Sequence, residues 1–216
     1  MHITWHGHSC FKMTGKSQND EITIVMDPYS TDVGARPLRV EADIVTLNNT
    51  LSGDIDASSI QGTPFLIDNS GEYEVKKVFV EGVTAFADKK QGVERGVTTL
   101  FRINFEDIDI VHLGNLGSEL SSASAEKLEA CDILMVPVGD KCPLTTKEVL
   151  SLISQLEPVI IIPMLYSVSG IKTDSGSADA FLKEMGAKLN ERVSKLKVSK
   201  KDIAAQETSL VILEKS

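Results

Sequence analysis

The chain is poor in the residues that define several specialised classes of protein. Its 216 residues include 3 cysteines, 1 tryptophan and 4 histidines. Cys10, Cys131 and Cys142 are scattered, with neither the Cys-x-x-Cys spacing of a zinc site nor the density of a disulfide framework. No stretch approaches the roughly 18 unbroken apolar residues that a membrane-spanning helix needs. We therefore expect no disulfide scaffold, no cysteine zinc site and no membrane span.

Positive charge is also in deficit. The chain has 22 basic and 31 acidic residues, which gives a formal net charge of -9. This balance disfavours binding to nucleic acid or to an anionic membrane surface. The basic run at residues 195–201 alternates with Leu196 and Val198, which favours a solvated strand over a nucleic-acid site. The first residues lack the basic and apolar regions of a secretion signal, so we expect a cytoplasmic protein with no nucleic-acid and no membrane partner.

The order of apolar and polar residues predicts an α/β fold. Short β-type segments dominate the first half, and the turns between many of them are too short for crossovers, so we expect many antiparallel neighbours. The second half alternates apolar strands with helical patterns. The predicted strands cover residues 3–5, 10–13, 22–26, 44–47, 65–67, 78–80, 98–103, 108–113, 133–136 and 159–162, and the predicted helices cover residues 122–130, 146–156 and 177–185.

Five segments, in order, resemble one known family. They are residues 3–11 (ITWHGHSCF), 24–29 (IVMDPY), 42–47 (ADIVTL), 110–117 (IVHLGNLG), and 132–139 (DILMVPVG) leading to 162–166 (IPMLY). Together they are similar to the metallo-β-lactamase superfamily, in its branch of small cytoplasmic zinc-dependent hydrolases related to ascorbate-6-phosphate lactonase. The resemblance implies a four-layer αβ/βα sandwich in a single domain over residues 1–216, with two sheet-helix halves at roughly 1–105 and 106–216.

The resemblance also implies where the family's metal ligands would lie. In the family, a strand like residues 42–47 is followed by His-x-His-x-Asp-His, which binds zinc or manganese because imidazole and carboxylate suit such ions and leave a position for a reactive water. This chain instead reads Asn49-Thr50-Leu51-Ser52-Gly53-Asp54, and no histidine occurs between His8 and His112. Sliding the alignment therefore does not restore the motif.

Three further ligand positions are carried over from the same family. They fall on Ala87, on Asn115 in place of an aspartate, and on Leu165 in place of the last histidine. We therefore predict a cleft with no metal ligand, no catalytic residue and no cofactor. Its predicted lining is His8, Asn49, Leu51, Gly53, Asp54, Ala87, His112, Asn115 and Leu165.

Several residues near this predicted cleft leave alternatives open. A non-standard metal site could draw on His6, His8, Asp54 and His112, although His8 and His112 are more simply read as supporting residues. Asp27 fits a structural role in a turn. Ser9, His8 and Asp27 can be combined into a Ser-His-Asp arrangement, but the sequence shows no nucleophile elbow beside them. The polar stretches 88–96 and 166–176 are expected at the rim.

Two functions therefore stay open. The first is a non-catalytic binding or scaffold protein, a pseudo-hydrolase that recognises an unidentified small molecule or protein. The alternative is a metal-dependent hydrolase of the lactonase-like branch with a non-standard metal site. Nucleic-acid processing is disfavoured by the acidic balance, and self-association into a homo-oligomer stays open.

Overall fold

In the part of the chain that the structure describes, two mixed β-sheets, a small two-stranded sheet and four helices form the fold. The computed structural model of the chain describes residues 1–49, 53–187, 192–205 and 207–216. The strands are β1 (His2–Trp5), β2 (Phe11–Ser17), β3 (Asp20–Met26), β4 (Ile44–Thr46), β5 (Phe65–Ile67), β6 (Gly71–Val75), β7 (Val78–Phe86), β8 (Val97–Phe105), β9 (Ile108–His112), β10 (Ile133–Pro137), β11 (Ile160–Met164), β12 (Arg192–Val193), β13 (Leu196–Lys197), β14 (Ser209–Leu210) and β15 (Ile212–Leu213). The helices are α1 (Ser122–Leu128), α2 (Thr146–Leu156), α3 (Asp179–Glu184) and α4 (Lys200–Ala204), with a 3-10 turn at Thr31–Val33.

The first sheet has the strand order β13-β1-β2-β3-β4-β5. Strands β1, β2 and β3 pair antiparallel, as their short connections predicted. Strands β3, β4 and β5 pair parallel, because the segments between them are long enough to return the chain to the same end of the sheet. Consequently, β3 and β4 end on the same side of the molecule.

The second sheet has the order β14-β11-β10-β9-β8-β7-β6. It is antiparallel from β6 to β9 and parallel through β9, β10, β11 and β14. Helix α1 connects β9 to β10, and α2 connects β10 to β11, which is the crossover arrangement of parallel strands. The change of sheet along the chain falls between Ile67 and Gly71. The division into halves near residue 105 stays a prediction.

The apolar core lies between the two sheets. One buried cluster contains Trp5 and Phe11 of the first sheet together with Phe101 and Ile103 of the second, so the sheets pack face to face. In β1 the burial alternates along the strand, whereas every residue of β10 and β11 is buried, as expected for strands covered on both faces. The α/β sandwich predicted from the sequence is confirmed.

The basic run near the end of the sequence differs from its prediction. The basic run at residues 195–201 contains only the two-residue strand β13, and helix α4 begins at Lys200. The carboxylate of Asp202 accepts the backbone N–H of Ser199 at 2.8 Å, which satisfies a donor at the start of the helix. The alternation of Leu196 and Val198 had suggested a longer strand. Among the helices that the structure describes, none is long and apolar enough to cross a membrane.

Candidate functional site

A cavity of about 560 Å³ lies where several strands end. Pro137 ends β10, Leu165 follows β11, and Asn115 lies three residues after β9, so the carboxyl ends of three parallel strands meet at this edge. In open α/β sheets such edges are the usual place for ligands. The volume is within the range of small-molecule sites.

Six of the nine residues predicted for the cleft line this cavity. They are His8, Asn49, Asp54, Ala87, Asn115 and Leu165. The cavity therefore draws together segments that are far apart in the chain. Gly53 is exposed beside Asp54 and does not line it, and His112 is wholly buried behind the cavity. Leu51 lies outside the described residues, so its placement stays a prediction.

His8 is the histidine that faces the cavity. Its side chain is almost fully buried, and burial lowers the pKa of the ring below its ordinary value, while nearby Asp54 acts in the opposite direction. Ring Nδ1 lies 3.1 Å from the hydroxyl of Ser9. The backbone carbonyl of His8 accepts two hydrogen bonds, from the indole N–H of Trp5 at 3.0 Å and from the amide of Leu165 at 3.2 Å. These contacts fix the residue at the cavity wall.

His112 has a supporting role, as the sequence indicated. Nε2 lies 2.9 Å from the carbonyl oxygen of Ser9, and Nδ1 lies 2.8 Å from the side-chain oxygen of Asn48. Burial lowers the pKa of this ring to about 3, so it is neutral near pH 7 and carries a single ring proton. Because both nitrogens contact protein groups, neither is open to the cavity.

Asp27 lies behind His8 and is completely buried. Its Oδ1 accepts the backbone N–H of Asn48 at 2.8 Å, so the carboxyl connects the ends of β3 and β4 rather than closing the local turn that we predicted. Burial raises the pKa of the Asp27 carboxyl to about 7, although hydrogen bonds from Asn48 and from the hydroxyl of Ser9 lower it. Oδ2 of Asp27 has no hydrogen-bond partner among the described residues. The carboxyl is thus only partly satisfied.

The backbone around the cavity contains three non-glycine residues in the left-handed region. The φ angles are 54° at His8, 44° at Asp27 and 54° at Leu165. Such conformations cost free energy and persist where the surrounding structure enforces them, often at functional sites. Here the hydrogen bond from the Leu165 amide to the His8 carbonyl joins two of these residues directly.

The rim contains a cation that the sequence did not single out. Arg95 lines the cavity and is exposed. Burial raises the pKa of the nearby Cys142 thiol to about 11, and the charge of Arg95 acts in the opposite direction. Arg95 belongs to the stretch 88–96 that the sequence placed at the rim. No ion pair of Arg95 is found among the residues that the structure describes.

A buried carboxylate organises the loop that carries Arg95. Asp88 accepts backbone N–H groups from Lys90 at 2.7 Å, Gly92 at 3.1 Å, Glu94 at 3.1 Å and Arg95 at 2.7 Å. These hydrogen bonds hold the pKa of Asp88 below its ordinary value, although burial alone would raise it. One aspartate therefore fixes the position of the loop at the rim. An Asp followed by glycines in a polar stretch was the only signal of this arrangement in the sequence.

Most other charges at the rim are paired. Glu94 forms an ion pair with Lys90 at 2.5 Å, and Lys141 contacts Asp174. Asp54 is half-buried close to His8. Arg95 is therefore the rim cation whose charge is least compensated by a direct neighbour.

The family's ordinary dinuclear metal centre does not fit the side chains described at this site. No group of three or more His, Cys, Asp or Glu side chains that could hold a metal ion is found within residues 1–49, 53–187, 192–205 and 207–216. Structural metal sites use four protein ligands and catalytic ones three. The four residues weighed for a non-standard site are not gathered into such a group: His112 contacts Ser9 and Asn48, and Nε2 of His6 lies 3.3 Å from Thr4 Oγ1.

Comparison with known proteins places this fold and cavity in context. The sequence profile described as Beta-lactamase superfamily domain matches residues 2–165. A UPF0173 protein of Pyrococcus abyssi is 24% identical over 206 residues, covering 86% of this chain and 90% of its own length. A protein of Lysinibacillus sphaericus named UPF0173 metal-dependent hydrolase is 24% identical over 198 residues, covering 77% of this chain and 86% of its own.

Solved structures agree with the sequence comparisons. A Thermotoga maritima protein, described as a candidate Zn-dependent hydrolase of the metallo-β-lactamase superfamily, superposes with a TM-score of 0.78 at 30% identity, covering 99% of this chain and 98% of its own. A metallo hydrolase from Ignicoccus hospitalis shares the fold, with a TM-score of 0.60 at 17% identity over 86% of this chain and 90% of its own.

The names of these relatives correct one prediction. We expected no cofactor, because histidines are missing from the family's ligand positions. That expectation is wrong: the relatives are named metal-dependent or Zn-dependent hydrolases, and these names point to a metal cofactor.

Proposed function

This chain belongs to the beta-lactamase superfamily, and we propose that its cavity at the strand ends binds a small molecule that carries an anionic group. The observation that carries the proposal is Arg95, an exposed guanidinium at the cavity rim without an ion pair among the described residues. A guanidinium recognises carboxylate, phosphate and sulfate groups through paired N–H donors.

The rest of the cavity suits a small polar molecule. Asn49 and Asn115 contribute side-chain amides, which donate and accept hydrogen bonds, and Leu116, Pro137 and Leu165 contribute apolar surface. Ligand sites commonly combine a largely apolar lining with a few polar groups that fix orientation. Arg95 would therefore hold the anionic group at the rim, while the amides hold the deeper part of the ligand.

A binding series tests this proposal. Phenyl phosphate, phenyl sulfate and benzoate are titrated by calorimetry against the wild-type protein and against Arg95→Gln. We expect at least one of these anions to bind, and the variant to bind it at least about tenfold more weakly, which corresponds to roughly 1.4 kcal/mol. Arg39→Gln is the matched control, because Arg39 is also exposed and does not line the cavity.

The control determines how the result is interpreted. If both variants lost the same amount of anion affinity, the loss would come from the change in overall charge, which would contradict a specific site at Arg95. Failure of all three anions to bind the wild-type protein would also overturn the proposal. Binding that survives in Arg39→Gln and weakens in Arg95→Gln supports it.

Metal-dependent hydrolysis is the second candidate, and the names of the relatives favour it. Lactones, phosphodiesters and thioesters are the substrate classes to test, each with added Zn²⁺ or Mn²⁺. Turnover that a chelator abolishes and that metal restores would support this candidate. Asn115→Asp adds the carboxylate that the family resemblance expects at that position, so under this candidate it should raise metal affinity.

A further inference from the structure

The charged side chains that line the cavity differ in whether a neighbour balances their charge. Two of them are already paired, since Glu94 forms an ion pair with Lys90 and Lys141 forms one with Asp174. Neither Arg95 nor Asp54 forms an ion pair within the part of the chain that the structure describes. The charged lining residues are Asp54, Glu94, Arg95, Lys141 and Asp174. The cavity therefore presents one cation and one anion whose charges no direct neighbour balances.

We propose that the cavity selects a zwitterion, a small molecule whose anionic group binds Arg95 and whose ammonium group binds Asp54. The proposal rests on the proposed binding of anions at Arg95 and deepens it by naming the class of ligand. A simple anion pairs with Arg95 and leaves Asp54 unpaired, whereas a zwitterion supplies both missing charges. Complementary charges of this kind determine specificity more than overall affinity.

Backbone hydrogen bonds position both residues and leave their charged groups for a ligand. The carbonyl oxygen of Asp54 accepts the backbone N–H of Ser30 at 2.9 Å. The backbone N–H of Arg95 donates to Asp88 at 2.7 Å, and its carbonyl oxygen accepts the side-chain amide of Asn49 at 3.3 Å. Because these contacts use main-chain atoms of Asp54 and Arg95, the carboxylate and the guanidinium are not consumed by them.

The other polar groups of the lining add no competing charge. Burial lowers the pKa of the His8 ring below its ordinary value, so the ring is neutral near pH 7. Burial raises the pKa of the Cys142 thiol to about 11, so the thiol is neutral as well. Asn49 and Asn115 contribute uncharged amides. A ligand therefore meets uncompensated charge at Arg95 and Asp54.

A metal ion is the other cation that Asp54 could contact. Catalytic metal sites use three protein ligands, and no group of three or more His, Cys, Asp or Glu side chains that could hold a metal is found among the described residues. An ammonium group, in contrast, needs a single carboxylate for a charge-assisted hydrogen bond. We therefore assign Asp54 to the ammonium group, and the experiment below separates the two cations.

The test compares two compounds that differ only in the ammonium group. They are 4-(aminomethyl)benzenesulfonate and 4-(hydroxymethyl)benzenesulfonate, which share the ring and the sulfonate. Both are titrated by calorimetry at pH 7 against protein dialysed with a chelator. We expect the wild-type protein to bind the amino compound at least about threefold more tightly, as for one partly exposed ion pair.

Three variants locate the origin of this preference. Asp54→Asn should bind the two compounds with similar affinity, because its amide carries no charge, while its binding of the hydroxymethyl compound reports that the cavity is intact. Arg95→Gln should weaken the binding of both compounds by the same factor. Asp32→Asn is the matched control and should keep the wild-type preference, because Asp32 is exposed and does not line the cavity. Asp54→Ser replaces Asp54→Asn if that variant does not fold.

Each result decides a different part of the proposal. If the hydroxymethyl compound binds through Arg95 and the amino compound binds no better, the proposed anion binding stands and selection of a zwitterion is overturned. If neither compound binds, both proposals fail. An equal loss of preference in Asp32→Asn would attribute it to overall charge, and a preference that appears only after Zn²⁺ is added would assign Asp54 to a metal ion; either result contradicts the proposal.

Discussion

The middle of the second sheet and the edge of the molecule where strands of both sheets end are built differently. Strand β10 consists of five consecutive buried residues from Ile133 to Pro137, and each of its side chains is apolar. At the strand ends, in contrast, Asp27, Asn48 and His112 are buried polar groups, and His8, Asp27 and Leu165 have positive φ angles. The strands supply stability through apolar burial, whereas the ends hold costly conformations and polar groups in place. Strained backbone and buried polar groups of this kind are typical of functional sites.

The largest expected effect is in the core. Phe101 is fully buried between the sheets, and Phe101→Ala should lower the free energy of unfolding by about 3 to 5 kcal/mol, because it removes apolar burial and leaves a cavity. Urea unfolding measures the change. A loss below about 1 kcal/mol, typical of surface substitutions, would contradict the assignment of stability to the strands.

The next effect concerns Asp27 and has a definite direction with pH. Its folded-state pKa of about 7 lies above the ordinary value of 3.8, so the folded state binds more protons than the unfolded state between these pH values. The free energy of unfolding contributed by this group therefore falls as pH rises from about 4 to 7, at most by about 1.4 kcal/mol per pH unit. Asp27→Asn should lose this slope.

Urea unfolding of both proteins at pH 5, 6, 7 and 8 checks this prediction. The variant should gain stability relative to wild type as pH rises, and the difference should level off above pH 7. A difference that stays constant across the series would show that Asp27 is ionised in the folded protein throughout.

Helix α2 provides a smaller effect away from the strand ends. The hydroxyl of Thr145 accepts the backbone N–H of Glu148 at 3.3 Å, and the carboxylate of Glu148 accepts the N–H of Thr145 at 2.7 Å. Thr145→Ala should lower the free energy of unfolding by about 1 kcal/mol. Phenyl sulfate affinity should not change, because Thr145 does not line the cavity that contains Arg95. If Thr145→Ala also lowered the affinity for phenyl sulfate, the start of helix α2 and the cavity would not be independent.

The smallest effect on global stability is expected in the rim loop. Asp88→Ala removes the acceptor of four backbone N–H groups, so the amides of Lys90, Gly92, Glu94 and Arg95 should exchange with solvent faster. Hydrogen-exchange NMR resolves these amides individually. Core amides such as that of Leu134 should keep their protection. Unchanged exchange in the loop would mean that other contacts hold Arg95 in place.

The fold was largely predictable because its signals are local. Continuous apolar runs indicated β10 and β11, and the periodic pattern of residues 146–156 matched α2. Strand β7 runs from Val78 to Phe86, whereas the prediction covered only residues 78–80, because Gly82 interrupts the apolar pattern. The strand nevertheless continues through Gly82, where the chain packs closely: a Cβ at this position would lie 2.7 Å from the carbonyl oxygen of Asn69. The two-residue strand β12 is too short to leave a pattern.

The site was predictable only in part. The resemblance to the family located six cavity residues, because strand ends stay in place when side chains change. Arg95 was missed, since its position depends on the backbone hydrogen bonds of Asp88. The sequence left several roles open for these residues: His8 as a supporting residue or a metal ligand, Asp27 as a turn residue, and both with Ser9 as a Ser-His-Asp arrangement. In the structure, His8 Nδ1 lies 3.1 Å from the Ser9 hydroxyl and Asp27 is completely buried, which sequence spacing does not reveal.

We propose that the cavity at the strand ends is the functional site of this protein. Backbone amide shifts in NMR during a phenyl sulfate titration test it most directly. We expect the shifts to cluster at Gly96, Asn115 and Leu165, which line the cavity, and to disappear in Arg95→Gln. Shifts centred instead on Leu120, Leu144 and Leu152, which line a different pocket, would contradict it.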